Sequence, residues 1–376
     1  MISPFEEPIY VTRPTLPNTD RVVDSIKEIW RSKRLTNNGP KCRELECRLQ
    51  ARLGVKYLSA FNNGTTALMV ACRALNLTGE VITTPFTFAA TPHALTWNNL
   101  TPVFCDIDPI TLNIDANKIE PLITERTSAI LAVHVFGTPC DVEKIQSIAD
   151  KYNLKVIYDA AHAFGITLNG GGVIGGLGDV SMMSFHATKI YHTLEGGALM
   201  CRDARLKERI DLFRNFGIAG EEEVELPGLN GKMNELQAAI GLIMLDCIDD
   251  EREKRAALEK IYDEELRHCE GIIRVPEFLL SSKSNHQYYV IRIDREKFGR
   301  SRDEVYDTLR RYNVFARKYF YPLCSDYDHY KNLPSAASDR LPVAHRVSEE
   351  VLSMPLYGEL SVEDVKKICA IVREGD

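Results

Sequence analysis

The chain has 376 residues, of which 44% are hydrophobic and 26% charged, and its formal net charge is -7. That length exceeds what one small core needs and suits two packed domains, with the composition of an ordinary soluble globular protein. The acidic balance excludes general nucleic-acid binding, which requires an excess of lysine and arginine, while leaving room for a local basic patch.

The ten cysteines are scattered and form no C-x-x-C pair, so neither a zinc ribbon nor a redox dithiol is expected. Free thiols predict a reducing compartment and hence a cytoplasmic protein. The N-terminus lacks the basic start and apolar core of a signal peptide, and no apolar run approaches the ~20 residues of a membrane span.

In chain order, apolar spacing predicts an amphipathic helix over 18–31 with Asn18 or Asp20 as cap, a polar loop over 32–40, and a second helix over 42–53. Strands are predicted over 57–61, 80–83, 102–106, 129–134, 155–158 and 180–185. Helices are predicted over 65–75, 89–97 and 142–152. This alternation predicts an α/β domain with a mostly parallel sheet. From Asn234 to about Leu266 the spacing is helical throughout, as in a helix that bridges two domains. A strand over 288–293 and helices over 302–311 and 361–373 predict a smaller α+β domain. The domain boundary is placed at 1–245, with an N-terminal arm, and 246–376.

The chemistry concentrates at strand ends. The strand over 180–185 delivers Ser184 and then, five residues on, Lys189; the strand over 155–158 runs into Asp159 and His162. A lysine amine and a buried carboxylate at adjacent strand ends are what pyridoxal phosphate requires: the amine bonds the aldehyde, and the carboxylate keeps the pyridinium nitrogen protonated. Asn63-Gly64-Thr65 lies where a strand passes into a helix, a place suited to a phosphate or to an ordinary turn and cap. Each remaining candidate likewise has a plain reading. Lys189 reads as a surface lysine or a nucleophile, and Asp159 as a helix cap or a pyridinium partner. Phe88 reads as core or as a ring stacked on the cofactor. His162 reads as a core histidine or a donor to the phenolic oxygen, and Ser184 as a strand serine or a phosphate ligand. Gly170-x-Gly172-x-x-Gly175 matches a dinucleotide fingerprint but leads into a strand, not a helix, and is rejected. Asp106-Ile107-Asp108-Pro109 lacks the later oxygen ligands of a calcium loop.

Together these segments resemble the DegT/DnrJ/EryC1/StrS group of sugar-nucleotide aminotransferases over nearly the whole chain. The resemblance rests on 35–40, 63–68, 84–91, 106–109, 112–115, Asp159-Ala160-Ala161-His162, the run Ser184-Phe185-His186-Ala187-Thr188-Lys189, 228–235 and 316–323. It implies the fold-type I architecture, with a mixed, mostly parallel seven-stranded sheet in the large domain and a smaller α+β C-terminal domain. It also implies pyridoxal 5'-phosphate as cofactor, with Lys189 as the Schiff-base lysine, Asp159 at the pyridinium nitrogen and Phe88 stacked on the ring. His162 is implied to lie beside the phenolic oxygen, with Gly64, Thr65 and Ser184 on the phosphate. Asn230 is implied to reach the phosphate of the other subunit in a homodimer, although Gly231 and Lys232 stand where the family commonly has an aromatic residue and an arginine. Tyr319 is the expected neighbour of the sugar.

Within the family, Ser-Phe-His-Ala-Thr-Lys and Glu195-Gly196-Gly197 are similar to the members acting at carbon 4. The implied reaction moves an amino group from L-glutamate to dTDP-4-keto-6-deoxyglucose, giving dTDP-4-amino-4,6-dideoxyglucose. Lys189 speaks against the dehydratase branch, which has histidine there. The alternatives are a C3 or other sugar-nucleotide transaminase of the same family, an amino-acid transaminase using Arg317 for a carboxylate, and a cofactor-binding regulator without activity.

Overall fold

The computed structural model describes residues 2–275 and 281–375. Seven strands form the main sheet: β1 (Tyr57–Phe61), β2 (Glu80–Thr83), β3 (Thr101–Phe104), β4 (Thr127–Val133), β5 (Lys155–Asp159), β6 (Val180–Ser184) and β7 (Gly197–Cys201). Their spatial order is β1-β7-β6-β5-β4-β2-β3, and β7 runs antiparallel to both of its neighbours while the other pairings are parallel. The central strands are apolar along their whole length because both faces are covered, the pattern of a parallel sheet between helices. On one face Ile145, Ile148 and Ala149 of helix α5 (Val142–Tyr152) pack with Ile130, Ala132, Val156 and Tyr158. On the other, Leu68 and Ala71 of helix α3 (Gly64–Ala74) pack with Val81, Leu131, Ile157 and Met182.

Helices α1 (Thr19–Ser32) and α2 (Pro40–Leu53) precede the sheet. Asn18 caps α1, its side chain accepting from the amides of Asp20 and Arg21 at 3.0 and 3.2 Å. Short α4 (Ala90–Thr96) follows β2, and α6 (Ala204–Arg214) follows β7. Strand β7 and helix α6 were absent from the sequence expectation, as the glycines before β7 resemble a loop.

Helix α7 (Glu235–Leu266) has 32 residues, about 48 Å at about 1.5 Å each. Its start is fixed by a reciprocal capping box between Asn234 and Gln237. Its first half buries Ala238, Ile240, Leu242, Met244 and Leu245 against α2 and the main sheet's neighbours. Its second half places Leu258, Tyr262 and Leu266 in a separate core with Tyr289 and Ile291. That core is built on a three-stranded antiparallel sheet of β8 (Ile272–Arg274), β9 (Tyr289–Ile293) and β10 (Val351–Met354), in that order. It is closed by α8 (Arg302–Arg311) and α10 (Val362–Glu374), while α9 (Pro342–Glu350) between them turns Ala344 and Val347 into the core of the main sheet. Residues Ile9–Tyr10 pair in parallel with Val314–Phe315, so the N-terminal arm docks on this C-terminal core. No helix among the described residues is long and apolar enough to cross a membrane.

Candidate active site

Parallel strands bring their C-terminal ends to one edge of the sheet, where ligand crevices form. There β5 and β6 lie side by side, with Asp159 opposite Met182. Beyond β6 the chain turns through His186, whose carbonyl accepts the Lys189 amide at 2.8 Å. The resulting cavity of about 270 Å³ is lined by Gly64, Thr65, Phe88, Asp159, His162, Ser184, Lys189 and Tyr319 among others. Eight of the nine sequence-predicted residues therefore meet in one place. Asn230 does not: it is exposed, its carbonyl accepting from Asn62 Nδ2 at 3.3 Å, and it is not part of this lining.

Lys189 Nζ lies 3.2 Å from the Tyr288 hydroxyl. Burial lowers its pKa from 10.5 to about 8, against the opposing pull of the Asp159 carboxylate. An amine in that range stays mostly protonated near physiological pH but keeps a far larger neutral fraction than an ordinary lysine, and that fraction can act as nucleophile or base.

Asp159 is 5% exposed. The Thr91 hydroxyl donates to its Oδ2 at 2.8 Å and the Ala161 amide to its Oδ1 at 3.1 Å. Thr87, 2.9 Å from Thr91, completes a short hydroxyl chain to the carboxylate. Burial raises the Asp159 pKa, while those two hydrogen bonds and the Lys189 charge hold it down. A carboxylate accepts from several directions, so capacity remains for a cationic N–H in the cavity. The turn-capping and cofactor readings of Asp159 are thus compatible: one oxygen serves the Ala161 turn.

His162 is buried, and burial followed by the Lys189 charge pushes its pKa well below 6.5. Its ring is parallel to those of Phe136 and Phe320, at 6.4 and 6.0 Å between centroids. The Phe136 amide donates to Nδ1 at 3.2 Å. In a neutral imidazole this assigns the proton to Nε2, which is then a donor.

At the other end of the cavity, Asn63 Oδ1 caps α3 by accepting the Thr66 amide at 2.8 Å. The Gly64 and Thr65 amides have no protein acceptor among the described residues, as first-turn amides commonly lack one. A Cβ on Gly64 would sit 3.1 Å from Met182 Sδ and 3.4 Å from the Ser184 Cβ, so α3 approaches β6 closely enough that any side chain here crowds Met182. Free amides, a helix N-terminus and the Ser184 hydroxyl make a cradle for a phosphate dianion. Phe88 is 63% exposed and borders the opening. The donor set fits pyridoxal phosphate: an amine for the aldehyde, a buried carboxylate for a ring N–H, and amides for the phosphate.

Several site residues were outside the sequence prediction. Thr91, within the segment 84–91, has no role assigned from sequence yet supports Asp159, and Tyr288 and Phe320 line the cavity. Gln287 spans the backbone around the lysine, accepting the Ile190 amide at 2.6 Å and donating to the Thr188 carbonyl at 3.1 Å. Asn285 Nδ2 donates to the carbonyls of His162 and Phe164 at 2.8 and 3.2 Å. Arg317 is exposed and outside the lining. Asp106 serves structure: it accepts the amides of Val343 and Ala344 at the start of α9 and pairs with Lys118.

The chain is 47% identical over 367 residues to a dTDP-4-amino-4,6-dideoxy-D-glucose transaminase of Escherichia coli, covering 98% of each. It is 45% identical to a Shigella dysenteriae transaminase of the same description, covering 98% of this chain and 100% of the relative. The solved structure of DesI in the presence of its TDP-sugar product superposes with a TM-score of 0.93 at 37% identity, covering 99% of this chain and 93% of that one. Residues 18–373 match the family model, and the chain belongs to the DegT/DnrJ/EryC1/StrS aminotransferase family.

Proposed function

We propose that the protein is a pyridoxal phosphate-dependent transaminase that moves the amino group of L-glutamate to C4 of dTDP-4-keto-6-deoxyglucose. The product is dTDP-4-amino-4,6-dideoxyglucose, a building block for surface polysaccharide such as O-antigen. The observation that carries this reading is the convergence of the Lys189 amine and the buried Asp159 carboxylate on one cavity. The resemblance to two transaminases of that sugar supports the substrate. Ten unpaired cysteines support a cytoplasmic setting.

Bound pyridoxal phosphate supplies an electron sink that lets a C–H bond beside nitrogen be broken and remade. Asp159 maintains the positive ring nitrogen, and His162 offers its Nε2 proton to the phenolic oxygen. Gly64, Thr65 and Ser184 would hold the phosphate, and Phe88, at the opening of the cavity, would cover the ring. Lys189 holds the cofactor and moves the proton at the reacting carbon, a task its pKa of about 8 suits. Tyr319 borders the space left for the sugar. In a homodimer the exposed Asn230 would be the residue that reaches the partner's phosphate.

The purified protein should lose its yellow colour on addition of L-glutamate and then aminate dTDP-4-keto-6-deoxyglucose in preference to simple keto acids. Lys189→Arg keeps the charge but cannot hold the aldehyde in the same way, and should abolish both steps while sparing the fold. Full activity of that variant, or preference for simple keto acids, overturns the assignment.

A further inference from the structure

The lysine is held from an unexpected quarter. Residues 285–288 precede β9 of the small sheet, yet Gln287 brackets Lys189 through the backbone of its two neighbours, and Asn285 fixes the turn after β5 that carries His162. Tyr288 follows directly and points its hydroxyl at Lys189 Nζ, 3.2 Å away, with a separation of 99 residues along the chain. Its ring meets His162 edge-on at 5.0 Å and Tyr319 edge-on at 6.1 Å, so the phenol is locked between two other cavity residues.

We propose that Tyr288 is a positioning residue for the Lys189 amine, keeping it in place over the cavity in both of its protonation states. The inference rests on the reading of Lys189 as the proton-moving residue. A protonated lysine has only donors, so the hydroxyl oxygen accepts from it; a neutral amine has a lone pair, to which the same hydroxyl donates by rotating its hydrogen. Phenylalanine could do neither. The amine therefore keeps one partner throughout, and no reorganisation precedes each proton transfer.

The charged and titratable groups around the pair come from four elements. Asp159 at the end of β5 and Tyr319 act on Lys189, and His162 packs on the phenol. Arg255 of α7, fully buried, has its Nε bonded to Glu251 at 2.6 Å and its Nη1 without a partner among the described residues. Burial raises the Tyr288 pKa and the Arg255 charge opposes that rise, so the phenol stays neutral and keeps its hydrogen.

The test is Tyr288→Phe, which keeps the ring and removes the hydroxyl. The expected result is a fall of tenfold or more in kcat with KM within twofold and cofactor content unchanged. A second measurement uses the cofactor-free protein: the pH at half-maximal rate of pyridoxal phosphate capture should fall, because the charge-assisted bond lost by the ammonium is stronger than the neutral bond lost by the amine. A kcat within twofold of the parent overturns the proposal. So does an unmoved capture midpoint, or a fall in kcat that tracks lost cofactor or a lowered melting temperature, since each assigns Tyr288 to packing. Activity of the parent and its loss in Lys189→Arg test the underlying reading separately, so the two failures are distinguishable.

Discussion

Lys189 is an expensive residue for the cofactor-free protein to keep, and the cost can be measured. Burial lowers its pKa from 10.5 to about 8, which corresponds to about 3 kcal/mol at about 1.36 kcal/mol per pKa unit. The unfolded chain holds this proton up to the ordinary lysine pKa, whereas the native chain releases it near 8. Below about 8 both states are protonated and the full penalty applies. Between about 8 and 10.5 the unfolded state binds more protons, so native stability rises with pH; above 10.5 the penalty is gone. Lys189→Met keeps a similar shape without charge. It gives up the hydrogen bond to Tyr288, worth about 1 kcal/mol. The variant should therefore be about 2 kcal/mol more stable than its parent at pH 7. That advantage should shrink steadily from pH 8 to 10.5. Urea unfolding of both proteins, stripped of cofactor and compared at equal protomer concentration, measures the difference. Equal or lower stability of the variant at pH 7, or an advantage that does not change across that window, refutes the reasoning.

Two further outcomes follow from the same geometry. Asp159→Asn preserves much of the hydrogen bonding to Thr91 and Ala161 but removes the charge. Turnover should fall about a hundredfold or more, while the melting temperature of the cofactor-free protein should hold or rise; steady-state kinetics and a thermal melt check both, and turnover within a few fold of the parent counts against the pyridinium role. Gly64→Ala places a methyl 3.1 Å from Met182 Sδ, between the first turn of α3 and β6, where it also stands beside the phosphate cradle. Its Kd for pyridoxal phosphate should rise about tenfold, equivalent to about 1.4 kcal/mol, with far-ultraviolet circular dichroism unchanged; an unaltered Kd in a cofactor titration would exclude the phosphate cradle.

What could be read from the sequence was local. Lys189, Asp159, His162, Ser184 and Gly64 each sit at the end of an apolar strand, where a contiguous stretch reveals both the strand and the exceptional residue. Most elements followed from periodicity for the same reason, including the long helix α7. Strand β7 was hidden because its first residue is Gly197, and that glycine answers a spatial need: a Cβ there would lie 2.7 Å from the Gly64 nitrogen. Strand β10 was hidden by its length of four residues directly after a helix. Tyr288, Gln287 and Asn285 gave no signal, because they act on loops about a hundred residues away and their side-chain types are ordinary. Periodicity makes Tyr288 the first residue of a strand that begins at Tyr289, so a one-residue boundary separates a ladder position from a site residue.

The grip of Gln287 on both neighbours of Lys189 ties the inheritance of two distant segments together. An amide side chain that must accept from one backbone group and donate to another has a single workable length and orientation, and both are set by where the small sheet stands. Exchanging the lysine loop between relatives, without the segment before β9, would leave one of those backbone groups facing the wrong atom. Recombination within this architecture is therefore constrained at a place where no cofactor, sugar or amino donor needs to touch.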